Sequence, residues 1–302
     1  MDFFLKVWYN IVNRMAFPIR AFLMYIRRER CVICSRRGNK SRHYNIVPNK
    51  ETNINMRMRK KKHGSERLSA LSALVCTDSA EIRQNPAAPF GDSRPLRLEI
   101  GCGKGDFIRQ LSRRDTEFGY YAMEKVDDVL VVALEKYAAD RGLGGLAPNG
   151  GWMNPDGEIF SGGAAWDIPA EMRGNVRFLG GDAKNLPEMF PENTFECIYA
   201  NFSDPWPKKG YESRRLTAPD FLKLYEHLLA DGGYFRFKTD NVSLFDYSLE
   251  TVGASPFEIT FMTRDLHASE RAAENIMTEY ERNFTEKGVK INCLEAVIRK
   301  TR

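Results

Sequence analysis

Eight residues, Leu98-Glu-Ile-Gly-Cys-Gly-Lys-Gly105, lie between an apolar run and a helical pattern. Glycines at 101, 103 and 105 let the backbone turn sharply and approach a ligand at a helix N-terminus. Nineteen residues past Gly105, at the end of the next apolar run, stands Glu124. A carboxylate there can accept both hydroxyls of a ribose. With Glu99, Asp182 and Asp204 it makes four acids at or just beyond expected strand ends, where open α/β sheets bind ligands. A dinucleotide fingerprint requires Gly-x-Gly-x-x-Gly, but its last place is taken by Asp106. Clustered acids repel a pyrophosphate and attract the sulfonium and ammonium of S-adenosylmethionine, so the pattern favours that cofactor. The competing reading is that some of these acids only cap helices.

The elements that must position these residues alternate strand and helix from Pro95 onward, which points to an α/β domain with a mainly parallel sheet. Strands are expected at 96–100, 118–123, 176–179, 195–200, 234–238, 257–263 and 290–298, and helices at 106–114, 126–141, 221–230, 242–252 and 269–281. Thr217-Ala-Pro-Asp220 resembles a capping box opening the helix at 221, and Asp231-Gly-Gly233 is expected to turn the chain into the next strand. Between Gly142 and Gly163 there are eight glycines in 22 residues, together with Trp152. Such composition predicts a surface loop without a core of its own, a tolerated insertion rather than a lid.

The chain has 302 residues, 43% of them hydrophobic and 12% aromatic, which excludes a collagen-like or wholly disordered protein. Its net charge of +5 is unevenly spread. Residues 1–62 carry 16 Lys/Arg against 3 Asp/Glu, and the remainder carries 29 against 37. A basic head before an acidic body suggests a polyanionic partner. The apolar stretch at 3–26 is interrupted by Lys6, Asn10, Asn13, Arg14, Pro18 and Arg20, so no membrane span is expected. The six scattered cysteines read as reduced thiols of a cytoplasmic protein. Cys31-x-x-Cys34 lacks two further ligands, so no metal is expected. Residues 1–55 lack sustained periodicity and read as a poorly structured basic extension, or as sequence ahead of a true start at Met56 or Met58. Residues 56–94 then form a basic arm and lead-in, and 95–302 the catalytic domain with its glycine-rich insertion at about 142–172.

Asn201-Phe-Ser-Asp-Pro-Trp-Pro-Lys-Lys209, followed by Arg214-Arg-Leu-Thr217, makes the resemblance specific. It resembles the signature of the tRNA (guanine-N7-)-methyltransferase family, bacterial enzymes that methylate guanosine 46 of the variable loop. Arg59-Lys-Lys-Lys-His63 is similar to the family's basic arm, Phe237-Lys-Thr-Asp240 follows its fifth strand, and Thr278-Glu-Tyr-Glu-Arg282 is similar to its late substrate motif. The resemblance covers roughly residues 56–300.

The resemblance implies a class I methyltransferase fold, Rossmann-like and doubly wound, with seven mostly parallel strands and a final antiparallel one. It implies S-adenosylmethionine bound by Glu99, Gly101, Gly103, Gly105, Glu124, Asp182, Ala183 and Asp204, with Asp204 also the catalytic residue. It implies tRNA contacts from Lys208, Asp240, Thr278, Glu279, Tyr280 and Glu281. Each of several has a structural competitor: Asp204-Pro205 as a turn, Asp240 as an N-cap, and Thr278-x-x-Glu281 as a capping box. Residues 57–62, Lys208, Lys209, Arg214 and Arg215 are candidates for phosphate contacts. Gly210-Tyr-Glu-Ser213 stands where many relatives are more basic, and the glycine-rich insertion departs from the family pattern. Monomer and homodimer both remain open, as does methylation of another RNA base.

Overall fold

The computed structural model describes residues 61–300. The expectations for residues 1–60, including Cys31-x-x-Cys34, lie outside them. The order of elements is α1 (Gly64–Ala70), α2 (Ser79–Gln84), β1 (Leu96–Ile100), α3 (Asp106–Arg114), β2 (Gly119–Glu124) and α4 (Asp127–Asp140). A short meander follows, β3 (Gly145–Leu146), β4 (Trp152–Met153) and β5 (Ile159–Phe160), then β6 (Val176–Gly180), α5 (Leu186–Met189) and β7 (Phe195–Asn201). The last third holds α6 (Pro219–Leu228), β8 (Leu229–Thr239), α7 (Val242–Gly253), β9 (Phe257–Thr263), α8 (Glu279–Thr285) and β10 (Asn292–Ile298).

Seven strands form one sheet in the order β6-β2-β1-β7-β8-β10-β9. Only β10 runs antiparallel to its neighbours, and it lies between β8 and β9. This is the α/β architecture of class I methyltransferases. Chain order reverses between β1 and β7, so the crevice beyond their C-terminal ends is the switch point where ligands bind. Both faces are covered, as a parallel sheet demands. Consecutive residues therefore feed opposite cores: Tyr121 joins Phe195 and Phe235 on one side, and Tyr120 joins Phe107, Leu134 and Phe178 on the other. Helix α3 presents Phe107, Ile108 and Leu111 inward, with Asp106 in its first turn and Arg113 and Arg114 in its last, matching the helix dipole.

Four expectations need correction. Thr217 does not cap α6: the N-cap is Ala218, without a side-chain bond, and the buried Thr217 hydroxyl pairs with Ser248 Oγ of α7 (2.8 Å). Asp231-Gly-Gly233 does not precede β8 but lies within it as a bulge. Its pairing with β7 jumps from Phe195↔Leu229 to Cys197↔Tyr234. A Cβ at Gly233 would stand 2.9 Å from Ala230 O, which is why the bulge carries glycine there. No helix spans 269–281; the chain makes short 3-10 turns at Leu266–Ala268 and Ala272–Glu274, and α8 starts only at Glu279. The carbonyl of Ile276 accepts a hydrogen bond from a buried lysine instead of a helical amide, so a tertiary contact overrides the local pattern. The glycine-rich segment also differs from a bare loop: β3, β4 and β5 pair, and Trp152 is buried with Nε1 donating to Leu143 O (2.8 Å). Among the described residues no helix is long and apolar enough to cross a membrane.

Tyr225 is fully buried against Phe235 (ring centroids 5.0 Å apart), and its hydroxyl has no hydrogen-bond partner among the described residues. A polar group buried without a partner costs stability. Tyr225→Phe is therefore expected to stabilise the fold by about 1 kcal/mol, read as a higher urea midpoint at unchanged slope. A lower midpoint would show that the hydroxyl contributes a bond.

Candidate active site

The glycine loop is folded onto the end of β2. Gly101 N and Cys102 N both donate to Met123 O (2.8 and 2.9 Å), and Gly103 N donates to Glu124 Oε2 (3.0 Å). Gly101, Gly103 and Gly105 all have positive φ (73°, 57° and 77°), which side-chain-bearing residues adopt at a cost. The other Glu124 oxygen accepts from Val126 N (2.9 Å), so this carboxylate ties the loop to the start of α4. Three successive amides are thereby occupied and turned away from any pyrophosphate, which agrees with the missing dinucleotide fingerprint. Cys102 is buried, and burial together with Glu99 and Glu124 pushes its thiol well above the ordinary range. It is not a nucleophile.

Glu99 and Asn201 stand side by side at the ends of β1 and β7, and Asn201 Nδ2 donates to Glu99 Oε1 (3.1 Å). Glu99 is only 2% exposed, and its Oε2 is buried without a partner. Burial pushes its carboxyl up to about 7. A sealed carboxylate with one unused oxygen is a receptor for a ligand cation such as an ammonium. Sequence reasoning missed Asn201 as its partner, although it begins the Asn-Phe-Ser-Asp-Pro-Trp-Pro run.

A cavity of about 630 Å³ opens between these strand ends and is lined by Glu124, Asp182, Ala183, Asp204 and Trp206, with Gly101 and Gly103 at its floor. A second cavity, of about 440 Å³, shares Gly101, Gly103 and Phe202 and continues to Glu99, Asn201, Thr278, Glu279 and Tyr280. Such volumes suit one nucleoside-sized ligand and its extension. Gly105 stays out of both cavities: it is the N-cap of α3, and a Cβ there would meet Ala133 Cβ at 3.1 Å. Asp182 both caps the following turn through Lys184 N (3.0 Å) and pairs with Lys125 (2.7 Å), which holds its carboxyl below the usual range. The side chain is therefore a cap, as the competing reading had it, and also part of the cavity lining.

Asp204 is exposed and sits between two residues with left-handed backbone, Phe202 (φ 53°) and Trp206 (φ 42°). Such backbone is strained for residues bearing a Cβ and concentrates at functional sites. It is held in place: Phe202 N donates to Lys238 O (2.8 Å), and Arg215 donates to Pro205 O (3.0 Å) and Trp206 O (3.1 Å). Arg215 is buried and lies over the Tyr247 ring, so it braces this loop and is not a surface phosphate ligand. Arg214 is exposed and stacks on Trp206 and Tyr211 at the cavity wall. Lys208 is exposed further along the same loop.

The wall opposite is set by Lys238, buried in β8. Its Nζ donates to Asn275 Oδ1 (2.9 Å), Ile276 O (3.0 Å) and Glu281 Oε2 (2.8 Å). Glu281, also fully buried, is further bound by His267 Nε2 (2.7 Å) and Asn275 Nδ2 (2.6 Å). Thr278 caps α8 by accepting from Glu281 N (3.0 Å). Of the four residues 278–281, then, Thr278 and Glu281 are committed to holding the segment, while Glu279 and Tyr280 are exposed. Tyr280 packs between Phe202 and Phe284, and its hydroxyl faces Asp240. Burial and the nearby charges of Asp240 and Asp204 push that hydroxyl up to about 12, so it remains a donor. Asp240 is not the cap of α7: Asn241 fills that place by accepting from Leu244 N (2.8 Å). Lys238, like Arg236 before it, was legible as a charge inside an aromatic strand, but its partners are 37 to 43 residues away.

The raised carboxyl of Glu99 fixes a pH dependence. Because its folded value of about 7 exceeds the ordinary 4.5, its contribution to stability is full below about 4.5 and is lost as pH rises through 7. Glu99→Gln removes that ionisation. The variant is expected to be more stable than the parent at pH 8, by on the order of 3 kcal/mol, and to match it near pH 4. Thermal melts across this range measure it, and equal stabilities at pH 8 would contradict the buried, unpaired carboxylate.

Residues 93–294 match the family described as "Putative methyltransferase". The chain is similar to the tRNA (guanine-N(7)-)-methyltransferase of Listeria welshimeri, 37% identical over 241 residues that make up 80% of this chain and 98% of that protein. It is likewise similar to the tRNA (guanine-N(7)-)-methyltransferase of Geobacillus sp., 37% identical over 236 residues, 78% of this chain and 93% of that protein. Identity of this extent, over nearly the full length of the relatives, is a family relation: the chain belongs to the tRNA (guanine-N(7)-)-methyltransferase family.

Proposed function

We propose that this methyltransferase transfers a methyl group from S-adenosylmethionine to N7 of guanosine 46 in the variable loop of tRNA. The observation that carries the reading is the pair of linked cavities with an unpartnered Glu99 oxygen at one end and Glu124 with Asp182 at the other. Glu124 would hold the ribose of the cofactor, Asp182 and Ala183 its adenine, and the free oxygen of Glu99 the ammonium of its methionine half. The cofactor supplies an electrophilic methyl on a sulfonium.

Guanine N7 has a lone pair and no proton, so its attack needs no general base. Consistent with this, no histidine lines either cavity among the described residues. The protein's task is to hold the ring in line with the methyl carbon, the orientation term of catalysis. The methylated purine is cationic, and Asp204, at the cavity edge, stabilises the developing charge or receives the guanine N1–H and amine. Asp240 and the Tyr280 hydroxyl face the same space, and the exposed Lys208 meets the RNA backbone. A tRNA substrate and four free cysteines among the described residues suit the cytoplasm.

The deciding assay incubates the protein with S-adenosylmethionine and unmodified tRNA and identifies the methylated nucleoside by mass spectrometry. 7-Methylguanosine that vanishes when guanosine 46 is replaced is the expected result; another methylated nucleoside would redirect the assignment to a different base. Asp204→Asn is expected to lower turnover at least about a hundredfold with an unchanged melting temperature. Near-normal turnover would remove Asp204 from the mechanism. Because Glu99 must be ionised to hold an ammonium, cofactor affinity is expected to tighten as pH rises through about 7, and Glu99→Gln should flatten that dependence in calorimetric titrations.

A further inference from the structure

The glycine-rich segment supplies no residue to the two cavities, yet it is a built structure. The paired β3, β4 and β5 rest on buried Trp152, and the rings of Phe160 and Trp166 stack with centroids 6.1 Å apart. Three contacts run from it to α1 and the residue before α1. Gly162 N donates to Glu66 Oε2 (2.9 Å), Trp166 N donates to Ala70 O (3.1 Å), and the His63 ring lies so near Gly150 that a Cβ there would stand 2.8 Å from it. Glu66 also accepts from His63 Nδ1 (2.9 Å), so one carboxylate joins the insertion to the chain just ahead of α1.

The same short stretch is held from its other side by α4. Asp128 Oδ1 accepts from Lys61 N (2.8 Å), and Arg67 donates to Lys62 O (3.0 Å) while pairing with Glu135 (2.6 Å). Asp128 precedes Val129, which lines the larger cavity together with Lys125 and Arg214. Lys61 and Lys62, the last of five Lys or Arg among residues 57–62, thus meet the body next to a residue of the cavity lining. The insertion itself has no Lys or Arg between 142 and 168 and three acids, Asp156, Glu158 and Asp167. It is chemically unsuited to grip phosphate and mechanically suited to hold what does.

We infer that the insertion is a brace: with α1 and α4 it fixes residues 61–63 at the rim of the larger cavity, making Lys61 and Lys62 part of the RNA-binding surface. The inference rests on RNA being the substrate. A basic side chain whose backbone is not held in advance must be ordered when it binds, and that entropy weakens affinity. Fixing its point of departure in advance removes part of the cost and aims the charge at phosphates of RNA seated over the cavity.

The test reads binding of labelled tRNA by fluorescence anisotropy over a range of salt concentrations, with cofactor affinity measured in parallel. Gly150→Ala pushes against His63 from a left-handed position (φ +87°), Glu66→Ala removes the shared acceptor, and Asp128→Ala frees Lys61. The combined variant is expected to bind tRNA about tenfold more weakly, keep its cofactor affinity within about twofold, and lose hydrogen-exchange protection at 61–70. Lost protection with unchanged tRNA affinity would overturn the brace. A second variant, Lys61→Gln with Lys62→Gln, leaves the body intact and is expected to lower the salt dependence by about two phosphate contacts; an unchanged slope would overturn the proposal as well. Since binding is read, absence of 7-methylguanosine from the wild-type protein would count against the functional reading alone.

Discussion

Lys238 and Glu281 meet at 2.8 Å with 1% and 0% of their side chains exposed, and the placement of the last third of the chain follows from that meeting. Two charges taken out of water are expensive, and their attraction offsets the cost only when every remaining valence is used. Here it is: the ammonium has three acceptors, and the carboxylate is bound by lysine, histidine and asparagine. Losing either partner leaves the other charge stranded in the interior. The pair draws the 265–281 segment against β8, breaks the helical pattern there, and sets Tyr280 over Phe202 and beside Asp240. The same lysine offers its own carbonyl to Phe202 N, so the strained start of the Asp204 loop hangs on the same residue. Both walls of the acceptor side are therefore referred to a single point in the sheet.

The electrostatics of the site oppose the stability of the empty protein. Glu99 sits in the interior with an oxygen that has no hydrogen-bond partner among the described residues, and the neighbouring charge of Glu124 adds to the cost of ionising it. Such an arrangement persists where a ligand cation completes it, which is how stability is given up for binding. Around the rim the pattern reverses. Lys125, Lys184, Lys208 and Arg214 are exposed on a body that is acidic as a whole, which puts positive charge near the mouth of the cavities. Acids inside and bases outside sort a cationic small molecule from an anionic large one.

Strain is distributed with the same economy. Phe202 and Trp206 occupy left-handed backbone on either side of Asp204, and each is fastened by a residue from a distant element, Lys238 or the buried Arg215. These bonds hold the Asp204 carboxylate in place without a ligand.

Local rules made much of this legible. Apolar runs marked the strands, glycines with a following acid marked the loop that Glu124 holds, and β1, α3 and β9 fall where periodicity puts them, because their patterns are satisfied by nearest neighbours and buried faces. Other features stayed illegible for a common reason: the partner lies far away in sequence. Thr217 has a capping box around it but turns to Ser248, and Asp240 leaves the cap of α7 to Asn241. Thr278 and Glu281 looked alike as motif residues, yet one caps a helix and the other neutralises Lys238. Arg214 and Arg215 are adjacent and identical in type, and only packing against Tyr247 makes the second a brace. The glycine-rich insertion read as slack because its composition hides the one residue, Trp152, that gives it a core. Sequence alone determined the fold class and the family signature and located the glycine loop, since these are written in residues close together along the chain. Which charges are sealed, which are free and which segments they hold were decided only by the tertiary structure, because desolvation and pairing depend on what the folded chain brings alongside.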